Sequence, residues 1–422
     1  MPEPAMREPC GACESSAGSL SLEEAWSQID AMFPCVTSVR EVPLLEALDA
    51  VLAQPLVSPI NLPPFENSAM DGYAFSHASL DEKNGGRLRL SKTRLAAGVA
   101  PVAPLSAGEA VRIFTGAPLP QGADTVAMQE HCTAADGFVN VPGGIARGVN
   151  CRPAGGDVRQ GQVILNKGAR LRPQDLALAA ATGHERLSVY RPLRVAVLST
   201  GDELHEPGQP LSRGGIYDSN RYGVISLLQW MGCKIIDKGI IRDDLETIVS
   251  TLREASQEAD AIITSGGMSV GEEDHVKAAI ATLGELAFWR INIKPGKPVG
   301  IANVLGTPLI GLPGNPVSAV VTFMLIARPA LLRLSGCVRT TTPVSFFVES
   351  AFDHDCKGTR REFLRGCLAA SPSGRMRVEK FRTESSGVLS SLVETDGLID
   401  LAGVDGVRTG QLVSFLPFGM LR

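Results

Sequence analysis

The sequence predicts a multidomain protein in which a central α/β domain is accompanied by β-rich domains. Its 422 residues exceed what one hydrophobic core usually serves, and strands alternate with helices only within residues 193–338. Short strands dominate residues 59–157 and 339–422 instead. These observations predict a parallel-sheet α/β domain, an inserted β-rich domain, a helical linking domain formed by residues 21–58 and 158–192, and a C-terminal β-barrel-like domain.

The amino-terminal part predicts a disordered tail followed by helices. Residues 1–20 are rich in small and polar residues, so their Cys10 and Cys13 favour a disordered tail over a metal or redox site. Ser21 and Glu24 form a capping box that predicts a helix from Leu22. Further helices are predicted for Leu44–Gln54, bounded by prolines, and for Gln174–Thr182. We expect helices on the two sides of residues 59–157 to pack together.

Within the inserted domain, strands are predicted for Arg87–Leu95 and Ala110–Phe114, and turn residues are frequent from 136 to 157. The α/β domain begins after Tyr190 and Pro192. Its predicted elements are strands Leu193–Leu198, Lys234–Ile241, Ala259–Thr264 and Val299–Ile310, and helices Arg221–Trp230, Leu245–Glu258, Asp274–Thr282 and Val317–Ala327. The last domain has predicted strands Val344–Glu349, Phe363–Leu368, Met376–Phe381 and Gln411–Phe418.

The composition limits the possible functions. A formal net charge of −5 argues against a general nucleic-acid binder, and six histidines make a histidine-centred mechanism improbable. Nine cysteines, an odd count, without a recognisable export signal predict reduced thiols in the cytoplasm. The longest apolar run, Ala319–Leu332, is interrupted by Arg328 and Pro329 and is too short to predict a membrane span.

One segment offers two kinds of anion-binding group. The turn Gly311–Ala319 joins a predicted strand to a predicted helix, so backbone N–H groups at the helix start are available to an oxyanion. Lys294 and Lys297 precede it on a proline- and glycine-containing loop. A turn of this kind alone is also common in α/β proteins where it binds nothing. The two lysines favour the ligand site.

Two further predicted strands end in polar turns. Asp202 and Glu203 follow the first, and Asp274 ends the glycine-rich turn that begins at Thr264. Asp202 or Asp274 alone is more typical of a helix N-cap. Because carboxyl ends of parallel strands share one edge of a sheet, the three turns together predict a ligand site, with carboxylates suited to Mg²⁺.

Six motifs resemble, in order, those of the MoeA family of molybdopterin molybdenumtransferases, to which the E domain of gephyrin also belongs. The resemblance covers residues 21–422. The motifs are Asn67–Ala74, Phe114–Pro118, Ser199–Leu204, Ser265–Gly271, Lys294–Pro298 and Gly311–Ser318.

The resemblance implies a reaction and a set of partners. Such enzymes convert adenylated molybdopterin and molybdate to molybdenum cofactor and AMP, with Mg²⁺ as the required cation, in the last common step of cofactor biosynthesis. It implies a homodimer whose active site lies between the α/β domain, here the molybdopterin-binding domain, and the inserted domain of the partner subunit. The preceding adenylyltransferase and apo-molybdoenzymes are further implied partners.

The resemblance also implies roles for individual residues. Asp71, Thr115, Glu203, Asp274, Lys294 and Lys297 match catalytic positions, and Glu203 and Asp274 would hold the metal. The positions matched to substrate binding are Asp243, Gly266, Gly267, Ser269, Arg290, Pro313, Gly314, Asn315, Pro316, Arg365 and Ser386. Arg290 departs from the lysine expected there, and its planar fork meets phosphate differently. Ser385 adjoins Ser386 and is the alternative to it.

Two other functions are compatible with parts of the chain. The α/β domain alone would suit the preceding adenylylation, but Asp71, Thr115 and Arg365 lie outside that domain. A scaffold that holds the pterin without turnover is the second alternative. It would not need Glu203 or Lys294, so the transferase is favoured.

Overall fold

A computed structural model describes residues 19–100, 103–267, 275–296, 298–338, 343–356, 359–370, 374–403 and 405–421. It confirms the predicted fold class: an α/β sheet, a β-rich insertion, a linking region and a closed C-terminal barrel. Residues 1–18 of the predicted tail, with its two cysteines, and the predicted site residues Ser269, Asp274 and Lys297 lie outside the described residues. Leu20, predicted as the last residue of a disordered tail, instead pairs with Ile291, so that end of the prediction is wrong. The predicted domain boundaries stay predictions.

The first helix begins with the predicted capping box. The Ser21 hydroxyl accepts from the Glu24 N–H at 3.1 Å, and the Glu24 carboxylate accepts from the Ser21 N–H at 2.7 Å. The helix buries Leu22 and Ile29 in the core of the α/β domain. The elements of this first part are α1 (Leu22–Met32), β1 (Val39–Pro43), a 3₁₀ turn (Leu44–Glu46) and β2 (Leu56–Val57).

The predicted helix Leu44–Gln54 is wrong. Beyond the 3₁₀ turn, the backbone N–H groups of Asp49 and Leu52 donate to the carbonyls of Leu171 and Ala169 instead of closing helical turns. Three successive residues, 51–53, are buried, which one face of a helix would not allow. Pairing with the returning chain therefore overrides the local helical pattern.

The insertion is built around a six-stranded sheet of order β7-β4-β6-β5-β9-β8. The two predicted strands in this region are confirmed as β5 and β6. Its elements are β3 (Asn67–Ser68), β4 (Gly72–Phe75), a 3₁₀ turn (His77–Ser79), β5 (Gly86–Leu95), β6 (Glu109–Ile113), β7 (Thr125–Met128), a 3₁₀ turn (Gln129–His131), β8 (Thr133–Ala135), β9 (Phe138–Val141) and β10 (Cys151–Arg152).

The chain returns through β11 (Val163–Leu165), α2 (Pro173–Ala181) and β12 (Arg186–Tyr190). β12 pairs antiparallel with β1, and residues from both sides of the insertion share one small core. The two sides of the insertion therefore pack together, but through paired strands. The predicted packing of helices from the two sides is wrong, because α1 packs on the α/β domain instead.

The α/β sheet has the order β16-β13-β17-β21-β20-β18, with parallel pairing from β16 to β21. The apolar run predicted as one strand is a hairpin of β20 and β21, turned at Leu305 and Gly306. The elements are β13 (Arg194–Thr200), β14 (Leu204–His205), β15 (Ile216–Tyr217), α3 (Ser219–Trp230), β16 (Lys234–Ile241), α4 (Leu245–Glu258), β17 (Ala261–Ser265), α5 (His275–Leu283), β18 (Gly284–Arg290), β19 (Ile293–Lys294), β20 (Pro298–Val304), β21 (Thr307–Leu312), α6 (Pro316–Thr322), a π-helical turn (Phe323–Ala327) and α7 (Arg328–Leu334).

The last helical run is longer than predicted. Residues Pro316–Leu334 are long and apolar enough to cross a membrane, but 89% of the most apolar 18-residue window of this run is buried inside the protein. It packs against α1, α3 and the sheet, and it supplies much of the largest hydrophobic core. Its apolar character is therefore explained by its place in that core.

The C-terminal strands close into a barrel in which β24, β25, β22, β28 and β26 pair in a ring. β19 leaves the α/β domain and extends this sheet by pairing with β24. The elements are β22 (Phe346–Ser350), β23 (His354–Asp355), β24 (Arg361–Ala370), β25 (Met376–Lys380), α8 (Ser390–Val393), β26 (Gly397–Leu401), β27 (Gly406–Val407), β28 (Leu412–Pro417) and a 3₁₀ turn (Phe418–Leu421). α8 and β26 were not predicted from the sequence.

Candidate functional site

Three strand ends meet at one edge of the α/β sheet. β13, β17 and β21 are adjacent and parallel, so the turns after Thr200, Ser265 and Leu312 lie side by side. The N–H of Gly266 lies 3.4 Å from the Leu312 carbonyl oxygen, which ties the second turn to the third. The sequence predicted this convergence.

Glycine allows these turns to pack closely. Gly266 and Gly267 have φ angles of 90° and 62°, in the left-handed region. A Cβ on Gly266 would lie 2.4 Å from the Thr200 carbonyl oxygen, and one on Gly267 would lie 2.3 Å from a Val276 methyl group. Any larger residue would push the second turn away from the first.

The first turn presents carboxylates at the sheet edge. Asp202 and Glu203 are exposed, and the Asp202 carboxylate lies 3.4 Å from the N–H of Asp243, which follows β16. A Cβ at Gly201 would lie 2.6 Å from Glu203 Oε2, so this carboxylate folds back over its own turn. Asp202 caps no helix, because α3 begins at the N-cap Asp218 instead.

Three hydroxyl groups lie beneath these turns without a hydrogen-bond partner among the described residues. They belong to Ser199, Thr200 and Thr264, which are all at most 4% exposed. Buried hydroxyls normally find a protein or water partner. The exposed carboxylates of Asp202 and Glu203 above them offer oxygen ligands, the type that Mg²⁺ prefers.

The third turn leads into the start of α6. Pro313 is buried, whereas Gly314 and Asn315 are exposed, and Pro316 occupies the first helical turn. The Gly314 carbonyl accepts from the Asn220 side chain at 2.7 Å, which fixes the turn against α3. The turn therefore presents its exposed backbone in a fixed position.

A loop of the barrel reaches this helix start. The N–H of Val317 donates to the Ser386 carbonyl oxygen at 3.1 Å. Ser386 thus lies at the boundary between the barrel and the α/β domain. The resemblance matched Ser386 and the Pro313–Pro316 turn separately, and the structure brings Ser386 into contact with Val317, the residue that follows that turn.

Arg365, on β24, holds the same loop by hydrogen bonds to its backbone. It is 1% exposed, and its guanidinium donates to the carbonyls of Thr383 at 2.7 Å, Ser385 at 3.0 Å and Glu384 at 3.4 Å. Burial lowers the pKa of Arg365. Its Nε atom also donates to the Ser391 hydroxyl at 3.1 Å. In this conformation Arg365 therefore ties the loop that carries Ser386 to α8.

Lys294 lies at the end of β19, between two carboxylates. Its Nζ is 3.0 Å from Glu362 Oε1 and 3.3 Å from Glu384 Oε2. Burial opposes the charge of the ammonium group, but the hydrogen bonds to Glu362 and Glu384 outweigh it and raise the pKa of Lys294. The predicted cation is thus present beside the loop, already paired with acidic side chains.

Sequence reasoning missed the other charged residues around Lys294. The His354 Nε2 atom lies 2.9 Å from Glu362 Oε2, and Lys380 Nζ lies 3.2 Å from His354 Nδ1 and 3.3 Å from Glu384 Oε1. These residues come from β23, β24, β25 and the loop after β25, whose pairing is long-range. The local signal that could have drawn attention to Glu384 is its place directly before Ser385 and Ser386.

Asp71 and Thr115 meet in the inserted domain. The N–H and the hydroxyl of Thr115 both donate to Asp71 Oδ1 at 2.8 Å, and these hydrogen bonds lower the pKa of Asp71. Among the described residues, neither side chain bonds to the α/β sheet. Arg290, at the exposed end of β18, lies at the same sheet edge as the three turns, but two strands away from β21.

Comparison with known proteins gives the same picture along the whole chain. Three family models match in succession: MoeA N-terminal region (domain I and II) over residues 20–183, probable molybdopterin binding domain over residues 196–333, and MoeA C-terminal region (domain IV) over residues 348–418.

Individual relatives match over nearly their full length. A molybdopterin molybdenumtransferase of Haemophilus influenzae is 38% identical over 405 residues, which cover 95% of this chain and 99% of the relative. One of Nostoc is 34% identical over 385 residues, covering 89% and 88%. A solved molybdopterin biosynthesis MoeA protein of Pyrococcus horikoshii superposes with a TM-score of 0.81 at 28% identity, covering 95% of this chain and 100% of that one.

Proposed function

Because the chain belongs to the MoeA family of molybdopterin molybdenumtransferases, we propose that it inserts molybdenum into molybdopterin by consuming adenylated molybdopterin and molybdate and releasing AMP. Its membership makes it a transferase of molybdenum cofactor biosynthesis. The adenylated form of the substrate, the release of AMP and the need for Mg²⁺ are the parts that we add.

One observation carries the proposal: groups that suit oxyanions come together from two domains. The exposed Gly314–Asn315 turn, the Ser386 loop and Lys294 are joined by the contacts of Val317 with Ser386 and of Lys294 with Glu384. The Val317 N–H, at the helix start, itself donates to the Ser386 carbonyl. Molybdate and phosphate are tetrahedral oxyanions, for which N–H groups and ammonium groups are natural partners. The reaction needs a place for both.

Cleavage of the adenylate develops charge on phosphoryl oxygens and requires that this charge be neutralised. Lys294 supplies a cation, and the Gly266–Gly267 turn and the Gly314–Asn315 turn supply backbone groups close to the sheet edge. Asp71 and Thr115 would complete the site from the partner subunit of a homodimer. Both residues are at least partly exposed, and they bond to each other rather than to the α/β sheet of their own subunit. These two observations support that arrangement.

The residues at the sheet edge fit a magnesium ion in chemical type. Glu203 would hold it, with Asp274 as the second carboxylate matched by the family resemblance, and the buried hydroxyls add oxygen atoms nearby. When bound, Mg²⁺ would neutralise phosphoryl oxygens and orient them. The chain's own residues provide the carboxylates that locate it.

The test measures AMP release from adenylated molybdopterin with Mg²⁺, with and without molybdate, together with reconstitution of an apo-molybdoenzyme. We expect molybdate-dependent AMP release that parallels reconstitution. Asp274→Asn should abolish Mg²⁺-dependent turnover while pterin binding persists, and turnover at the parent rate would contradict the metal assignment.

Tight pterin binding without AMP release, under conditions where a known insertase works, would instead indicate a scaffold. We also propose that the protein acts in the cytoplasm, alongside the adenylyltransferase and the recipient apo-molybdoenzymes. The seven cysteines among the described residues are all free thiols, which supports a reducing compartment.

A further inference from the structure

Glu384 lies where an anion would be expected. One carboxylate oxygen is 3.3 Å from Lys294 Nζ, and the other is 3.3 Å from Lys380 Nζ. The two ammonium groups come from different strands, β19 and β25, and converge on this one carboxylate. Burial opposes its charge, but the hydrogen bonds from Lys380 and Lys294 outweigh burial and lower the pKa of Glu384.

The rest of the cluster holds the two lysines in place. Glu362, 1% exposed, accepts from Lys294 on one oxygen and pairs with His354 Nε2 on the other. His354 Nδ1 lies 3.2 Å from Lys380 Nζ and 3.4 Å from Glu384 Oε1, so the imidazole contacts Glu384 as well as Lys380. Glu362 and His354 therefore fix the lysines, whereas Glu384 is the more exposed member, with 37% of its side chain accessible.

Space for a ligand adjoins Glu384. A cavity of about 300 Å³ is lined by Lys294, Asp353, His354, Asp355 and Glu384. Asp353 accepts from the Thr409 N–H and hydroxyl, and Asp355 pairs with Arg408 at 2.7 Å, so both are engaged by their own partners. Glu384 is the wall residue whose carboxylate faces both lysines.

A metal ion is a less suitable occupant. Three possible metal ligands lie close together here: one ligand atom from each of His354, Cys356 and Glu362, all within 4.8 Å of one another. This spacing would allow all three to bind one ion. Lys294 already lies at hydrogen-bond distance from Glu362, and Lys380 from His354. Two ammonium groups beside the would-be ligands repel a cation, and they already occupy the ligand atoms of Glu362 and His354.

We propose that Glu384 is an internal occupant of an oxyanion site formed by Lys294 and Lys380, and that an incoming tetrahedral oxyanion must displace its carboxylate to bind. This inference rests on the proposed function for its ligand class, which includes free molybdate and the phosphate group of the adenylated substrate. Lys380 becomes an oxyanion-binding residue, and Glu384 sets how strongly an anion must bind in order to enter.

The Glu384 side chain can be displaced without movement of its backbone. Its backbone belongs to the loop that Arg365 holds by three carbonyls and that Val317 holds at Ser386. The loop can therefore stay in place while the Glu384 side chain rotates away from the lysines. Ion-pair exchange is the only chemical event required, and no covalent bond changes.

The experiment is isothermal titration of the full chain with sodium molybdate and, separately, with inorganic phosphate and AMP. Glu384→Gln keeps the side-chain size and removes the competing charge, so it should bind at least one of these oxyanions about tenfold more tightly than the parent. A gain for molybdate identifies the metal oxyanion as the ligand, and a gain for phosphate and AMP identifies the substrate phosphate. Addition of Lys380→Ala to this variant should remove the gain.

Glu379→Gln is the matched control. Glu379 lies on the same strand as Lys380, pairs with Arg377 at 3.0 Å, and carries the same charge outside the cluster. Its substitution should leave the binding constants at the parent value. Equal tightening in both variants would show a general charge effect, and unchanged or weaker oxyanion binding by Glu384→Gln would overturn the proposal.

A spectroscopic measurement on the parent protein tests the proposal without relying on the folding of a variant. In the parent protein, a saturating oxyanion should raise the pKa of Glu384 toward its ordinary value, as read from the carboxyl ¹³C resonance, because the lysines have been taken over. An unchanged Glu384 titration with oxyanion bound would overturn the proposal. Neither measurement needs turnover, so the two proposals can fail separately. AMP release without a Glu384 effect would reject only the displacement of Glu384. A Glu384 effect without AMP release would reject only the proposed insertion of molybdenum.

Discussion

The inserted domain and the C-terminal barrel each hold a carboxylate in the charged form, but by different contacts. Asp71 receives two hydrogen bonds from Thr115, a neutral residue, and the pair is local to one strand end and one turn. Glu384 lies between two lysines that arrive from separate strands. The pKa of each carboxylate is lowered.

The difference predicts which carboxylate should respond to salt and to added anions. Hydrogen bonds from Thr115 are short-range and lower the pKa of Asp71 more than the charge of Arg112 does, so Asp71 is held mainly by a neutral partner. Ion pairs with lysines weaken in salt and can be exchanged for another anion. The inserted domain thus offers a rigid group, whereas the barrel offers an exchangeable one.

The largest expected effect comes from the barrel lysine. Lys294→Ala should lower turnover by about a hundredfold or more, because a cation facing the oxyanion is lost. It should also reduce the free energy of unfolding by roughly 2 kcal/mol, since buried Glu362 would lose its ammonium partner. AMP release and urea unfolding measure the two effects, with Lys238→Ala on β16 as a lysine control outside the site. Parent-like turnover would remove Lys294 from the site.

The next effect tests whether Asp71 serves another subunit. Asp71→Ala alone should lower turnover by about a hundredfold while the midpoint of thermal unfolding falls only slightly, because the carboxylate lies at the surface and loses only its hydrogen bonds with Thr115. Mixed dimers of Asp71→Ala and Asp274→Ala subunits should regain part of the activity, since one of their two sites would be intact. Complete absence of rescue in verified heterodimers would place Asp71 in its own subunit's chemistry or in none.

A smaller effect tests how rigid the inserted domain is. A Cβ at Gly72 would lie 1.9 Å from the Ala127 carbonyl oxygen, so Gly72→Ala should force β4 from β7 and cost about 2–3 kcal/mol in unfolding free energy. Gly387, beside the barrel loop, has its nearest neighbour, Ser385 Oγ, at 3.9 Å. Gly387→Ala should leave the unfolding free energy unchanged. Equal effects of the two substitutions would contradict this contrast.

The smallest effect concerns salt. Raising the salt concentration from about 0.05 to 1 M should move the pKa of Glu384 toward its ordinary value and leave that of Asp71 nearly unchanged. Both folded-state pKa values are depressed, so each carboxylate stabilises the fold above its ordinary pKa, about 3.9 for Asp and 4.3 for Glu, and this contribution disappears as pH falls through the folded value. Carboxyl ¹³C titrations at the two salt concentrations provide the measurement. Equal shifts for both groups would contradict the distinction.

The sequence predicted the elements whose hydrophobic pattern is local. α4 and β16 have the predicted bounds, and most other elements of the α/β domain begin or end within two residues of them. Leu44–Gln54 was mistaken for a helix because its pattern suits one, while its hydrogen bonds go to residues more than a hundred positions away. The β20–β21 hairpin was mistaken for one strand because the Leu305–Gly306 turn interrupts the apolar run only briefly.

The candidate site divides in the same way. Strand-end turns could be placed at one sheet edge from the alternation of strands and helices alone. The cluster around Lys294 could not, since Lys294, Lys380 and Glu384 meet only through closure of the barrel. The resemblance supplied Lys294, Arg365 and Ser386 without indicating that Arg365 would bind the loop backbone or that a glutamate would pair with the lysine.

The pairing of β19 with the barrel limits where this protein can be divided into separate domains. The strand Ile293–Lys294 lies in the chain before β20 and β21 of the α/β sheet, yet it pairs with β24 of the barrel, and Leu20 bridges to Ile291 just before it. A cut between residues 334 and 346 would therefore remove one strand of the barrel's sheet together with the lysine that faces Glu384. A chimera that exchanges the barrel between relatives should carry residues 291–295 with it, and a barrel expressed alone should need those residues supplied as a peptide.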